Sequence, residues 1–255
     1  MAMHQILILG GTSEARQLAG LLAARGDCEV VLSFAGRTMA PADQPVPVRT
    51  GGFGGSEGLS RHLRDKTISL LVDATHPYAA QISRNAAAAA EIASVPLIAL
   101  RRPGWEPVEG DRWRDVGNMS DAVAALGSTA RRVLVAVGRQ ELAPFEAASQ
   151  HSYVIRSVDP VEPPLAVPDV TYLLGRGPFD KADELALLKE HGIEVIVSKN
   201  SGGAATYGKI SAARELGIEV LMVRRPELPD VPAAATVEEA LALADHVLTS
   251  AKRGV

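Results

Sequence analysis

The densest set of reactive side chains in this 255-residue chain is Asp73-Ala74-Thr75-His76-Pro77-Tyr78. It follows an apolar run, Ile68 to Asp73, that reads as a buried strand, and it opens a helical stretch, Ala79 to Ser94. A histidine and a tyrosine at such a turn can each deliver a proton, so His76 and Tyr78 are the catalytic candidates. Asp73 and Thr75 can serve merely to cap and tie the turn.

Three glycine-bearing turns precede it. Gly10-Gly11-Thr12-Ser13-Glu14-Ala15-Arg16 carries a strand into a helix, with Thr12 or Ser13 as the cap. Free N–H groups and the helix dipole at such a junction favour a phosphate. The turn is not G-x-G-x-x-G, because Thr12 and Ala15 stand where the later glycines would fall. Ser33-Phe34-Ala35-Gly36-Arg37 ends the second strand. An acidic residue usually holds the adenosine ribose of NADH at that point. None is present, and Ser33 with Arg37 suits the 2′-phosphate of NADPH. Arg49-Thr50-Gly51-Gly52-Phe53-Gly54-Gly55 is a third loop in which backbone can approach a cofactor closely. The cofactor set expected from these turns is Gly10, Gly11, Thr12, Ser13, Arg16, Ser33, Arg37, Thr50, Gly51, Gly52 and Thr75. The stretch Arg37 to Val46, rich in Gly, Pro and small polar residues, reads as a mobile lid.

The later half carries cations at its strand ends: Arg139, Arg156, Arg176 beside Gly177, and Lys199 with Ser201, Gly202 and Lys209. Arg101-Arg102 and Arg224-Arg225 follow the last strand of each half. The formal net charge is −4, so a cationic rim of this kind points to a polyanionic ligand, such as one whose carboxylates arginine can hold bidentately, and not to nucleic acid. Arg102, Arg139, Arg176, Gly177, Lys199, Ser201, Gly202 and Arg225 are the expected substrate contacts.

The elements that must hold these loops alternate. Strand-like runs at Gln5–Leu9, Glu29–Phe34, Val46–Arg49, Ile68–Asp73 and Val95–Leu100 are separated by helical patterns, the signature of βαβ units with a parallel sheet. The order then repeats at an offset of about 123 to 127 residues: Val133 onwards echoes Ile6 onwards, and Ile218 to Pro226 echoes Val95 to Pro103. The expected fold is α/β, two Rossmann-like domains with parallel sheets related by internal duplication. The seam is expected near Gly127, giving a coenzyme domain over 1–127 and a substrate domain over 128–255. The last-strand repeats could exchange between halves, and the sheet covered by the final helix, Asp230 to Ala251, stays open.

A hydrophobic fraction of 47% against 22% charged residues is that of an ordinary globular chain. The single cysteine, Cys28, excludes an internal disulfide and a cysteine-built zinc site. The six histidines have no metal-like spacing. No apolar run is long enough to span a membrane and no secretory leader is visible, so the expected location is cytoplasmic.

Taken in order, ILGGTSEAR, DATHPYA, RRPGW from Arg101, GRGPF from Gly175 and SKNSGGAATYGKI from Ser198 make the chain resemble the precorrin-6A reductase family of cobalamin biosynthesis. The resemblance implies an NADPH-dependent oxidoreductase acting on a CH–CH group, with a methylated, carboxylate-rich tetrapyrrole, precorrin-6A, reduced at one ring double bond to precorrin-6B. It also implies neighbouring enzymes of that pathway as further partners. Ala205-Thr206 stands where many relatives carry a second Gly-Gly pair. A related branch acts on the cobalt-bearing substrate with NADH; Ser33 and Arg37 favour the metal-free, NADPH branch. The alternatives are a reductase of another small polycarboxylate and a non-catalytic nucleotide-sensing module.

Overall fold

The computed structural model describes residues 3–36 and 43–253. Two compact units are present: Met1–Pro103 with Pro226–Val255, and Gly104–Arg225.

In the first unit, β1 (His4–Leu9), β2 (Cys28–Phe34), β3 (Val48–Thr50), β4 (Leu70–Asp73), β5 (Leu97–Leu100) and β12 (Ala233–Ala234) form one sheet in the order β12-β5-β4-β1-β2-β3. Every pairing is parallel. Between the strands run α1 (Ser13–Ala23), α2 (Gly55–Asp65) and α3 (Ala80–Ala93), and α7 (Val237–Arg253) closes the unit. Ile6, Ile8, Leu70, Val72 and Ile98 pack on α1 and α7, and Leu7, Leu9 and Leu71 pack on α2 and α3. Strands buried on both faces in this way explain their unbroken runs of Ile, Leu and Val.

The second unit contains β6 (Trp113–Val116), β7 (Arg132–Ala136), β8 (Ser152–Ser157), β9 (Val170–Leu174), β10 (Val195–Lys199) and β11 (Glu219–Val223) in the order β6-β11-β10-β7-β8-β9, again all parallel. Its helices are α4 (Met119–Leu126), α5 (Lys181–Glu190) and α6 (Gly208–Leu216). Read from the other edge, each sheet is the doubly wound order 3-2-1-4-5-6, with its crevice where the order reverses, at β1/β4 and at β7/β10. The two parallel, Rossmann-like sheets expected from the repeat are therefore present.

The seam expected near Gly127 is corrected. β6 and α4 precede it in sequence but belong to the second unit, where Val220 to Val223 pair with Trp113 to Val116. The sixth strand of the first unit is instead supplied from the C-terminal segment, where Ala233 and Ala234 pair with Ala99 and Leu100. The last-strand repeats themselves do not exchange: β5 stays beside β4 and β11 beside β10. What crosses over lies one strand later, and α7 covers the first sheet through Val237, Ala240, Ala244 and Leu248.

α2 begins at Gly55, inside the glycine-rich loop. Gly55 and Gly58 dilute the helix signal, yet a Cβ at Gly58 would lie 1.7 Å from the Phe53 carbonyl oxygen. That glycine is needed where the turn folds back onto the helix.

Candidate functional site

At the end of β1 the chain turns sharply. The Gly10 N–H donates to the Ser33 carbonyl at 2.9 Å, and a Cβ on Gly10 would sit 2.7 Å from Leu32 Cδ1. Gly11 follows with φ +132°, open to a residue without a side chain. Thr12 is the N-cap of α1: its Oγ1 accepts from the Ala15 N–H at 3.1 Å and donates to the Ala74 carbonyl at 3.0 Å. One hydroxyl thus joins the loop after β1 to the loop after β4. Ser13 and Arg16 are exposed in the first turn, and the Ser13 hydroxyl donates to Glu14 at 3.0 Å.

The loop after β4 is tied by Asp73, only 4% exposed, which accepts from the Thr75 N–H at 3.2 Å and from its hydroxyl at 2.7 Å. The Tyr78 N–H donates to His76 Nδ1 at 3.3 Å, and the two rings lie 5.7 Å apart. With Nδ1 accepting that bond, a neutral imidazole here would carry its proton on Nε2.

A cavity of about 160 Å³ opens at these strand ends, lined by Leu9, Gly10, Ser33, Gly51, Gly52 and Thr75 among others. Five of the predicted cofactor residues therefore meet in one place. Thr50 ends β3 opposite Phe34, with its side chain exposed. Arg37 and residues 38–42 of the expected lid lie outside the described residues; at the far end of that stretch, Val46 is buried in the core.

Arg49 and Phe53 belong to a loop that the sequence singles out, but both were missed as individual site residues. Phe53 lines the cavity, and Arg49 stacks on its ring at 3.7 Å. Arg49 also donates to the Gly52 carbonyl at 2.8 Å and reaches Ser33 Oγ at 3.4 Å. It is the parallel register of β2 and β3, not a sequence signal, that sets Ser33 against Arg49.

The predicted substrate residues divide between the units. In the first, Arg102 Nη1 bonds Glu14 at 2.7 Å. Burial works to raise the Glu14 carboxyl, but the hydrogen bond and charge of Arg102, with backbone and Ser13 donors, hold it below the usual range. In the second, Arg139 begins the turn after β7, and Lys199 at the end of β10 pairs with Glu141 of that same turn. Arg139 and Lys199 thus flank the β7/β10 crevice. Arg176 is exposed, and neighbouring Gly177 packs so closely on the next loop that a Cβ would meet the Ala205 carbonyl oxygen at 3.1 Å. Ser201 N–H donates to the Lys199 carbonyl at 2.8 Å, Gly202 is buried with φ +69°, and Arg225 Nε donates to the Asn200 carbonyl at 2.8 Å. Asn200, also missed, clamps Trp105 by accepting from its N–H at 2.7 Å and donating to its carbonyl at 2.8 Å. A broader depression of about 520 Å³ in this unit, among Trp105, Phe179, Lys181, Gly203, Tyr207 and Ser211, includes none of the predicted contacts.

The second unit also buries charge. Arg156 and Glu184 form a buried pair, with the Arg156 guanidinium 3.9 Å above the Phe179 ring. Lys209 lies beneath them, 4% exposed, donating to the Thr206 carbonyl at 2.8 Å. Burial, then the charge of Arg156, brings its ammonium down to about 7 against the weaker pull of Glu184.

A capped helix after a glycine turn, beside a cavity at the β1/β4 switch point, fits a dinucleotide. Among the described residues no cluster of His, Cys, Asp and Glu suits a metal ion, and no helix is long and apolar enough to cross a membrane. The class so defined is a doubly wound α/β protein with the architecture of nucleotide-dependent reductases. The chain belongs to the precorrin-6x reductase CbiJ/CobK family, whose model matches residues 5–245. It is 57% identical to a precorrin-6A reductase from Sinorhizobium sp. over 251 residues, covering 98% of this chain and 96% of that one. A cobalt-precorrin-6A reductase from Priestia megaterium is 27% identical, covering 97% and 99%. The solved structure of a CobK precorrin-6A reductase superposes with a TM-score of 0.91 at 46% identity, over 96% of this chain and 97% of that one.

Proposed function

We propose that the chain reduces precorrin-6A to precorrin-6B with NADPH, the coenzyme held by the first unit and the tetrapyrrole carboxylates by the basic rim of the second. The observation that carries this reading is the cavity at the β1/β4 switch point, where Gly10, Ser33, Gly51, Gly52 and Thr75 converge. NADPH supplies the hydride. The N–H groups at the start of α1 would hold its pyrophosphate, Thr12 keeps that turn fixed against the loop after β4, and Ser33 and Arg37 are the residues that would bind the 2′-phosphate. Reducing a carbon–carbon double bond also takes one proton. His76, through Nε2, and Tyr78, through its hydroxyl, are the side chains of the loop after β4 that would deliver it, with water as the alternative source. Arg139, Arg176, Lys199 and Arg225 bind substrate carboxylates, with Lys199 exchanging Glu141 for the ligand. The greater likeness to a metal-free precorrin-6A reductase than to a cobalt-precorrin one favours the metal-free substrate. The reaction belongs to the cytoplasm.

The test is the visible spectrum of precorrin-6A mixed with the purified chain. The expected result is conversion that requires NADPH and is slower with NADH. Arg37→Ala and Ser33→Asp should each weaken NADPH far more than NADH. Equal losses for both coenzymes would remove the 2′-phosphate role, and no conversion would overturn the reading.

A further inference from the structure

The Arg-Arg pair after β5 is divided by what each side chain meets. Arg102 closes on Glu14 of α1. Arg101 donates its backbone N–H to the Ala234 carbonyl at 2.8 Å, but its guanidinium Nε and Nη2 are buried without a hydrogen-bond partner. Buried polar atoms are nearly always paired, and a charged donor left unpaired is among the costliest exceptions. Lysine can escape by losing its proton, as Lys209 does in part; a guanidinium cannot.

The two orphaned atoms share one edge of the guanidinium. That edge presents two parallel N–H groups, the fork that takes both oxygens of a carboxylate. This protein uses it elsewhere. Arg214 holds Asp111 through Nε at 2.9 Å and Nη2 at 3.4 Å, and Arg25 holds Asp27 through Nε at 3.0 Å and Nη2 at 3.3 Å. At Arg101 the fork is built and, among the described residues, no carboxylate fills it. The neighbouring acids are engaged, Asp73 by Thr75 and Glu14 by Arg102.

Position separates this fork from the coenzyme phosphates. The cavity is lined from the ends of β1, β2 and β3, from Thr75 after β4 and from Ile82 and Asn85 of α3, whereas Arg101 follows β5, on the far side of β4, and is not among its lining residues. Alternation along the strand sets Arg101 on the face of Leu97, which packs with α3, and Arg102 on the opposite face, toward α1. The loop between Arg101 and the crevice is the one that carries His76 and Tyr78.

We infer that Arg101 is a carboxylate anchor for the tetrapyrrole, the residue of the first unit that fixes the substrate beside the proton-delivering loop. This rests on the functional reading above and replaces Arg102 as the first unit's contribution to substrate binding.

Arg101→Met tests it with three measurements: KM for precorrin-6A, calorimetric Kd for NADPH, and Tm without ligand. The expected result is a KM raised by at least about 30-fold, an unchanged NADPH Kd, and a Tm that holds or rises because two buried, unpaired donors are gone. Arg101→Lys, which keeps the charge and loses the fork, should recover only part of the affinity. A Tm lowered by several degrees with KM unchanged would make Arg101 structural. A loss of NADPH affinity in place of precorrin-6A affinity would make it a coenzyme ligand. Either result overturns the inference. Failure of the parent chain to turn over precorrin-6A would instead sink the functional reading. The fork is then judged by fluorescence titration with uroporphyrin, another tetrapyrrole polycarboxylate: parent binding that Arg101→Met weakens sustains it, and equal or absent binding overturns it.

Discussion

After β1 the first unit runs through Gly10-Gly11-Thr12 into an eleven-residue helix; after β7 the second runs through Gly138 into two short 3-10 turns, Arg139–Glu141 and Ala143–Ala148. The strand order is the same in both. The first turn presents a helix N-terminus with free N–H groups; the second presents the side chains of Arg139 and Glu141 in its place. A second contrast lies one strand over. By the sequence repeat, Ser33 corresponds to Arg156 and the glycine loop Gly51–Gly55 to Gly175–Phe179. In the first unit these positions line an open cavity. In the second, Arg156 stacks on Phe179 and pairs with Glu184, so the equivalent space is filled by side chains. The repeated fold thus keeps a cavity open in one unit, the proposed coenzyme site, and fills the equivalent place in the other with a buried ion pair.

The strongest way to break this comparison is to pull the plug. Glu184→Ala leaves Arg156 and Lys209 buried with no compensating carboxylate, and should cost about 3–5 kcal/mol in urea unfolding. A cost near that of a surface substitution would mean the pair only decorates the fold. Lys209 gives the next effect. Its folded pKa of about 7 lies below the ordinary lysine value of 10.5, so the unfolded chain takes up the proton first as pH falls. The stability it contributes is full above the unfolded value and is lost as pH drops toward 7. Tm should therefore rise between about pH 7 and about pH 9 in the parent, and rise less in Lys209→Met; parallel profiles would contradict the burial of that charge. The smallest effect tests the first unit. Thr12→Val removes the cap of α1 and the tie to Ala74, and should cost about 1–2 kcal/mol while weakening NADPH. A stability loss with NADPH affinity intact would detach the cap from the coenzyme site.

Much of this was legible in the sequence, because βαβ patterning and glycine turns are local. The runs at β1, β2, β4 and β5, the loops that end them, and the duplication all follow from short-range signals. The seam was not legible. β6 is Trp-Arg-Asp-Val and β12 only Ala-Ala, too short and too polar or plain to declare a strand, and their partners lie more than a hundred residues away. The arginines show the same limit. Composition revealed a cationic rim, but only the fold distinguishes Arg102, neutralised by Glu14, from Arg101, whose fork has no partner. Arg156 likewise reads as one more rim cation until Glu184 and Phe179 are brought against it.

The division of labour between the units is tested most directly by the NADPH Kd of Gly52→Leu and Arg139→Ala. Gly52 lines the cavity, and a Cβ placed there meets nothing within 4 Å, so the leucine enters the cavity without straining the turn. Arg139 follows β7, the strand that holds in the second sheet the place of β1 in the first. The account predicts that Gly52→Leu weakens NADPH at least about tenfold, roughly 1.4 kcal/mol, while Arg139→Ala leaves it unchanged and raises the KM for precorrin-6A. Loss of NADPH affinity in Arg139→Ala with full affinity in Gly52→Leu would contradict it.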